Sequence, residues 1–134
     1  MKKIVKSVLL IIVIIFLLLY VLSRMTINNT STWAYLIDML NPMVTTETVY
    51  ANAPTKTIEE YRDNANNKTD YSYKVNSYNQ SGQKRQIQVT SYGSKLKLDS
   101  HRYLKIRAKG QYVGDFRIVT DNQVPKKVIN YLRH

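Results

Sequence analysis

Residues 101–109 read His-Arg-Tyr-Leu-Lys-Ile-Arg-Ala-Lys, and the alternation in this stretch decides the fold. Leu104, Ile106 and Ala108 fall on one side of an extended chain; Tyr103, Lys105, Arg107 and Lys109 fall on the other. A period of two marks a half-buried strand. Forward of it, Gly110-Gln111 predicts a turn into a second strand over Tyr112–Val119, with Tyr112, Phe116 and Ile118 on one face. Behind it, Tyr71, Tyr73 and Val75 alternate with polar residues, and so do Ile87 and Val89. Asn79-Gln80-Ser81-Gly82 lies between them, with Gly82 available for positive φ, so residues 70–92 form a hairpin. Leu96 and Leu98 belong to a short connection that ends at Asp99-Ser100.

Thr45–Ala51, rich in Thr, Val and Tyr, supplies the first strand. Thr57-Ile58-Glu59-Glu60 has the pattern of a capping box and predicts a helical turn through Arg62, followed by a loop over 64–67. Pro125 suits the first turn of a closing helix, whose apolar stripe is Val124, Val128, Tyr131 and Leu132. Five short antiparallel strands and one small helix within residues 45–134 suggest a small OB-like β-barrel, which removes exposed sheet edges. The fold class is therefore mainly β.

The N-terminus is different. Ser7–Ser23 contains no charge, and the fifteen residues Val8–Leu22 are Val, Leu, Ile or Phe except Tyr20. Insertion of this run into a bilayer gains about 4 to 8 kcal/mol. A helix over Ile4–Leu22 would span about 28 Å, close to the hydrocarbon thickness of about 30 Å. Lys2, Lys3 and Lys6 precede it, and only Arg24 follows before Lys56, so the charge bias keeps Met1 in the cytoplasm and exports the rest. Residues 1–24 are read as a membrane anchor or uncleaved signal. The alternative is secretion after cleavage following Ser23. Residues 25–44 form a membrane-proximal segment. Within it Trp33, Leu36, Ile37 and Leu40 follow helical spacing, Ser31 or Thr32 can cap the start, and Asn41-Pro42 stops it. Such a helix either lies in the membrane interface or packs its apolar stripe on the domain; packing is the reading preferred.

The net charge is +11, and it is unevenly spread. Residues 24–70 carry a net −2 and residues 71–134 a net +10. An exported basic domain meets anionic lipid headgroups and wall polymers, not nucleic acid. The absence of cysteine excludes disulfides, thiol chemistry and a lipid-modified cysteine. No His, Asp and Glu spacing makes a metal site, no Gly-rich phosphate loop occurs, and no pair of opposed acid–base groups is visible. Catalytic residues, metal ligands and cofactors are thus all assigned as none, and an enzyme is not expected. The surviving constellation is a candidate anionic-ligand face of Lys95, Lys97, Tyr103, Lys105, Arg107 and Lys109, in which basic groups interleave with an aromatic. A solvated outward face would look the same.

Four segments carry a family likeness. They are Asp70-Tyr71-x-Tyr73, Ser77-Tyr78-x3-Gly82-x-Lys84, Tyr103-Leu104-Lys105-Ile106, and Val124-Pro125-Lys126-Lys127-Val128. With these the chain resembles the YxeA-like family of small exported proteins of Gram-positive bacteria. Thr48–Ala51 would match that family's first strand, whereas the Trp33–Leu40 helix is extra to its pattern. The resemblance implies an anchored or secreted OB-type barrel, without enzymatic activity and without catalytic residues to carry over.

Two functions are compatible with these readings. One is a binding module for anionic cell-envelope material, its partners the bilayer and wall polymer. The other is an accessory protein of a membrane complex, such as a transporter or an envelope-stress sensor.

Overall fold

The structure is a computed structural model in which residues 1–52, 59–63, 65, 67–93, 96 and 102–132 are described. Two helices open the chain, α1 (Lys2–Met25) and α2 (Thr32–Leu40). Among the described residues six strands follow: β1 (Thr46–Asn52), β2 (Glu59–Asp63), β3 (Lys68–Tyr78), β4 (Lys84–Ser91), β5 (Arg102–Lys109) and β6 (Tyr112–Thr120). A 3-10 turn at Asp121–Gln123 leads into α3 (Lys126–Leu132).

Every strand pairing is antiparallel. The main path runs β2-β3-β1-β5-β6, with β4 paired to β3 off this path. The long β3 carries β4 on one edge, and on the other it carries β2 along residues 68–72 and β1 at Ser77 and Tyr78. β4 and β6 approach each other, yet among the described residues no ladder joins them, so the sheet is open at that seam. The architecture is the expected one: mainly β, five antiparallel strands along the path and a helix at each end.

The alternation that suggested strands also fills the core. Val49 faces Ile106, Ala51 faces Leu104, Tyr73 faces Val89 and Val75 faces Ile87, and all eight are buried. Burying aliphatic side chains of this size contributes about 1.5 to 3 kcal/mol each. A second apolar cluster lies on the outer face of the sheet, where Val124 and the α3 residues Val128, Ile129 and Leu132 meet Tyr50, Tyr103 and Val119. Tyr131 is not part of this buried stripe; it is half-exposed and stacks on Tyr78 with ring centroids 5.8 Å apart.

The β3–β4 turn uses the residues expected of it. Gly82 has φ +81°, and the Asn79 side chain accepts from the N–H groups of Ser81 and Gln83.

Three local readings change. Glu59–Asp63 is strand β2, not a helical turn, while the proposed cap Thr57-Ile58 lies outside the described residues. A turn or two of isolated helix is unfavourable to nucleate, whereas the free edge of β3 offers five residue pairings. Tyr112 does not share a face with Phe116 and Ile118. A bulge lets Ala108 face Val113 and Arg107 face Asp115, leaving Gly114 as the extra residue, and this turns Tyr112 to the opposite side. The third change concerns α2. Its buried positions are Ala34 and Asp38, while Trp33 is 76% and Leu40 75% exposed. The apolar stripe points away from the domain, and a carboxylate points into it.

Candidate functional site

Two features have functional potential. The first is the joint between the helical pair and the sheet. Ser31 caps α2, its hydroxyl accepting from the Ala34 N–H at 3.2 Å, which sets the helix off at a fixed angle. One turn on, Asp38 is 0% exposed. Its Oδ1 accepts from the Thr26 hydroxyl at 2.7 Å and its Oδ2 from the Gln111 backbone N–H at 2.6 Å. Arg85 Nη1 stands 3.8 Å from Oδ2 and has no hydrogen-bond partner among the described residues. Burying a carboxylate is tolerable only with such donors and a nearby cation. The Gln111 side chain extends the network, donating to the carbonyls of Thr26 (3.0 Å) and Gln86 (2.8 Å). The Gln86 N–H donates to Asn28 Oδ1 at 2.7 Å.

Further along, Lys109 Nζ donates to the Met39 carbonyl at 2.9 Å, and Asn41 Nδ2 to the Leu19 carbonyl of α1 at 2.8 Å. The segment between α1 and α2 is therefore fixed to the sheet through Thr26 and Asn28. Gly110 completes the joint: its φ is +58°, and a methyl group there would overlap the Asp38 carboxylate.

Beside the joint, Tyr35 packs against Tyr112 with centroids 5.1 Å apart. Burial, and then the neighbouring Tyr112 and Tyr92 hydroxyls, push the Tyr35 phenol above its ordinary pKa. Tyr35 and Tyr92 border an open hollow of about 490 Å³ at the β4–β6 seam, lined also by Thr90 and Phe116.

The second feature is the basic face of β5. Lys95 and Lys97 lie outside the described residues. The other four candidates occupy one side of the strand, but their surroundings differ. Tyr103 is buried beneath α3. Lys109 is engaged with α2. Lys105 is half-buried and Arg107 exposed, and these two remain open to solvent between the helices. Across the β5–β6 ladder Lys105 is directly opposite Arg117, and Arg107 is opposite Asp115. Arg117, which the sequence reading left out, thus joins the face; its place in strand β6 was visible, but its register was not.

Among the described residues no group of three acidic, His or Cys side chains could hold a metal ion. Thr26, Asp38, Gln86 and Gln111 are bonded to one another in the joint, with Arg85 adding only its charge, which is the chemistry of a structural connection. On the β5 face Lys105, Arg107 and Arg117 stand together, with Asp115 opposite Arg107.

Comparison with known proteins places the sheet in a family. A family model described as a protein of unknown function, DUF1093, matches residues 42–122, which leaves α1 and α2 outside the match. The crystal structure of a DUF1093 family protein from Bacillus subtilis is similar over 69% of this chain and 97% of its own, at 27% identity and a TM-score of 0.52. The solution structure of a membrane associated protein from Bacillus cereus is similar over 71% of this chain and 90% of its own, at 21% identity and a TM-score of 0.51; at that identity the likeness speaks to the fold. No curated protein matches the chain. The YxeA-like resemblance is compatible with these findings. Its sheet, its turns and the match over more than half its length make this chain a member of the DUF1093 family.

Proposed function

We propose that the chain is a membrane-anchored, extracytoplasmic and non-enzymatic binding module, with an OB-like sheet whose open basic face holds anionic cell-envelope material. In this reading α1 is a retained span with Met1 in the cytoplasm. Retention is supported by the joint: cleavage after Ser23 would remove the Leu19 carbonyl that Asn41 uses and cut beside Thr26.

The observation that carries the binding role is the Lys105–Arg117 pair. Two cations directly opposite on one sheet face destabilise a ladder, and Arg107 sits on the same face of β5. A fold with no use for this charge gains by losing it. Asp115 faces Arg107 across the ladder; for Lys105 and Arg117, phosphate-bearing wall polymer or anionic headgroups would supply a counter-charge, with an attraction that salt screens.

The test uses the full chain in phosphatidylcholine nanodiscs, titrated with poly(glycerol phosphate). Binding at low salt should weaken steeply as salt rises, and the double variant Lys105→Glu/Arg107→Glu should lose it. Absent binding at low salt, or binding indifferent to salt, removes the proposal. A second reading, an accessory protein of a membrane complex, is favoured by the outward Trp33 of α2. It requires crosslinking in intact membranes to capture one defined protein and Trp33→Ala to reduce that capture.

A further inference from the structure

The end of α2 lies at an unusual level for a turn. Asp38 meets α1 at Thr26, and Asn41 meets it at the Leu19 carbonyl. In three residues the chain has moved back along α1 by seven, about 10 Å of helix. The apolar run of α1 ends at Leu22, so Asn41 contacts it about 4.5 Å inside that end. If α1 spans a bilayer, the turn between α2 and β1 is at the depth where headgroups give way to acyl chains.

What the turn exposes fits that level. Leu40 is 75% and Met43 41% exposed, Pro42 between them is exposed, and Leu40–Val44 contains no charged residue. This surface continues the bare apolar surface of α1, none of whose residues is buried.

What the turn hides fits equally well. Irregular backbone is tolerated at membrane depth only where its polar groups find partners. Here the Met39 carbonyl accepts from Lys109 Nζ, and the Met43 N–H donates to Asn41 Oδ1 at 2.9 Å. The Val44 N–H donates to the Asn41 carbonyl at 3.2 Å, and Asn41 itself is 2% exposed.

We infer that the α2–β1 turn, Leu40–Val44, is seated in the lipid of the leaflet from which α1 emerges, as a second membrane contact that fixes the height and tilt of the sheet. This rests on the reading of α1 as a retained span. Trp33, five residues before Asp38 and 76% exposed, precedes Leu40 by seven residues of α2, about 10 Å of helix.

The chain has a single tryptophan, Trp33, and so carries its own reporter. Full-length protein is reconstituted in phosphatidylcholine/phosphatidylglycerol vesicles, with lipids brominated high on the acyl chains as quenchers and iodide in the water. Leu40→Trp and Met43→Trp, each with Trp33→Phe, move the indole to two exposed positions of the turn. Both should show blue-shifted emission, loss of intensity with brominated lipid and protection from iodide; the natural Trp33 should lose less to bromine and more to iodide. Indoles at both positions that iodide quenches and bromine does not would overturn the seating. Protection from both quenchers would overturn it too, because a second copy of the chain would then cover the turn. Alkaline carbonate washing of the same vesicles separates the two readings. If α1 is washed out, the anchor and the seating fall together; if α1 is retained while the indoles are in water, only the seating falls.

Discussion

Asp38 and Gln111 are 73 positions apart in the sequence, yet the backbone N–H of Gln111 donates to the Asp38 carboxylate at 2.6 Å, with both residues buried. The bond ties the outer helical pair to the β5–β6 turn. It also explains why the polar face of a short helix is turned inward: the carboxylate finds there a hydroxyl, an amide N–H and a guanidinium.

Removing the carboxylate should loosen the joint. Asp38→Ala strands the Thr26 hydroxyl, the Gln111 N–H and the Arg85 guanidinium, and such buried orphans cost about 3 kcal/mol together. Asp38→Asn keeps one acceptor and should cost less. Thermal unfolding of the full chain in detergent micelles measures both, and an Asp38→Ala loss below about 0.5 kcal/mol would show that the joint is dispensable.

Gly110 gives a second measure of the same contact. Gly110→Ala adds a methyl group in a left-handed conformation and drives it into the Asp38 carboxylate. The expected loss is about 2 kcal/mol or more. In the double variant Gly110→Ala/Asp38→Ala the two losses should be less than additive, because the clash disappears with the carboxylate. Strict additivity would show that the two residues act separately.

Lys105→Gln should stabilise the protein while weakening it as a binder. Relieving the opposition to Arg117 should gain about 0.5 kcal/mol, and affinity for poly(glycerol phosphate) should fall. Denaturation and titration of one preparation check both signs. A loss of stability with unchanged affinity would count against the proposed face.

Trp33→Ser separates the two orientations of α2. A tryptophan packed in a core costs about 3 to 5 kcal/mol to truncate, but the outward Trp33 should cost within about 0.5 kcal/mol. Ile106→Ala, at a fully buried core position, should cost about 3 kcal/mol in the same assay.

The sheet was legible because alternation and turn chemistry act locally. The β3–β4 hairpin follows from Tyr73, Val75, Ile87 and Val89 around Asn79–Gly82, and β5 from Leu104, Ile106 and Ala108. Less legible was anything that depends on what lies opposite. The period of α2 located a stripe of four apolar residues but could not say that Asp38 had three partners waiting on other elements, and those partners decided which face was buried. Likewise Glu59 and Glu60 carry a helix-start pattern, and it took the vacant edge of β3 to make that segment a strand. In the candidate face, residue type and side of β5 were readable. That α3 covers Tyr103, that Lys109 reaches back to Met39 and that Arg117 stands across from Lys105 were consequences of packing and of a one-residue bulge in β6.

The grip of Asn41 on the Leu19 carbonyl bears on reach. A module on a slack leash sweeps a hemisphere and samples whatever drifts through it. Under the proposed anchoring, a module clamped below the exit of its own stem would keep a single elevation and bearing, restricting its ligands to molecules that themselves come down to that height. Lengthening the stem by a whole number of turns would raise the basic face without altering it, turning elevation into a variable that can be set independently of chemistry.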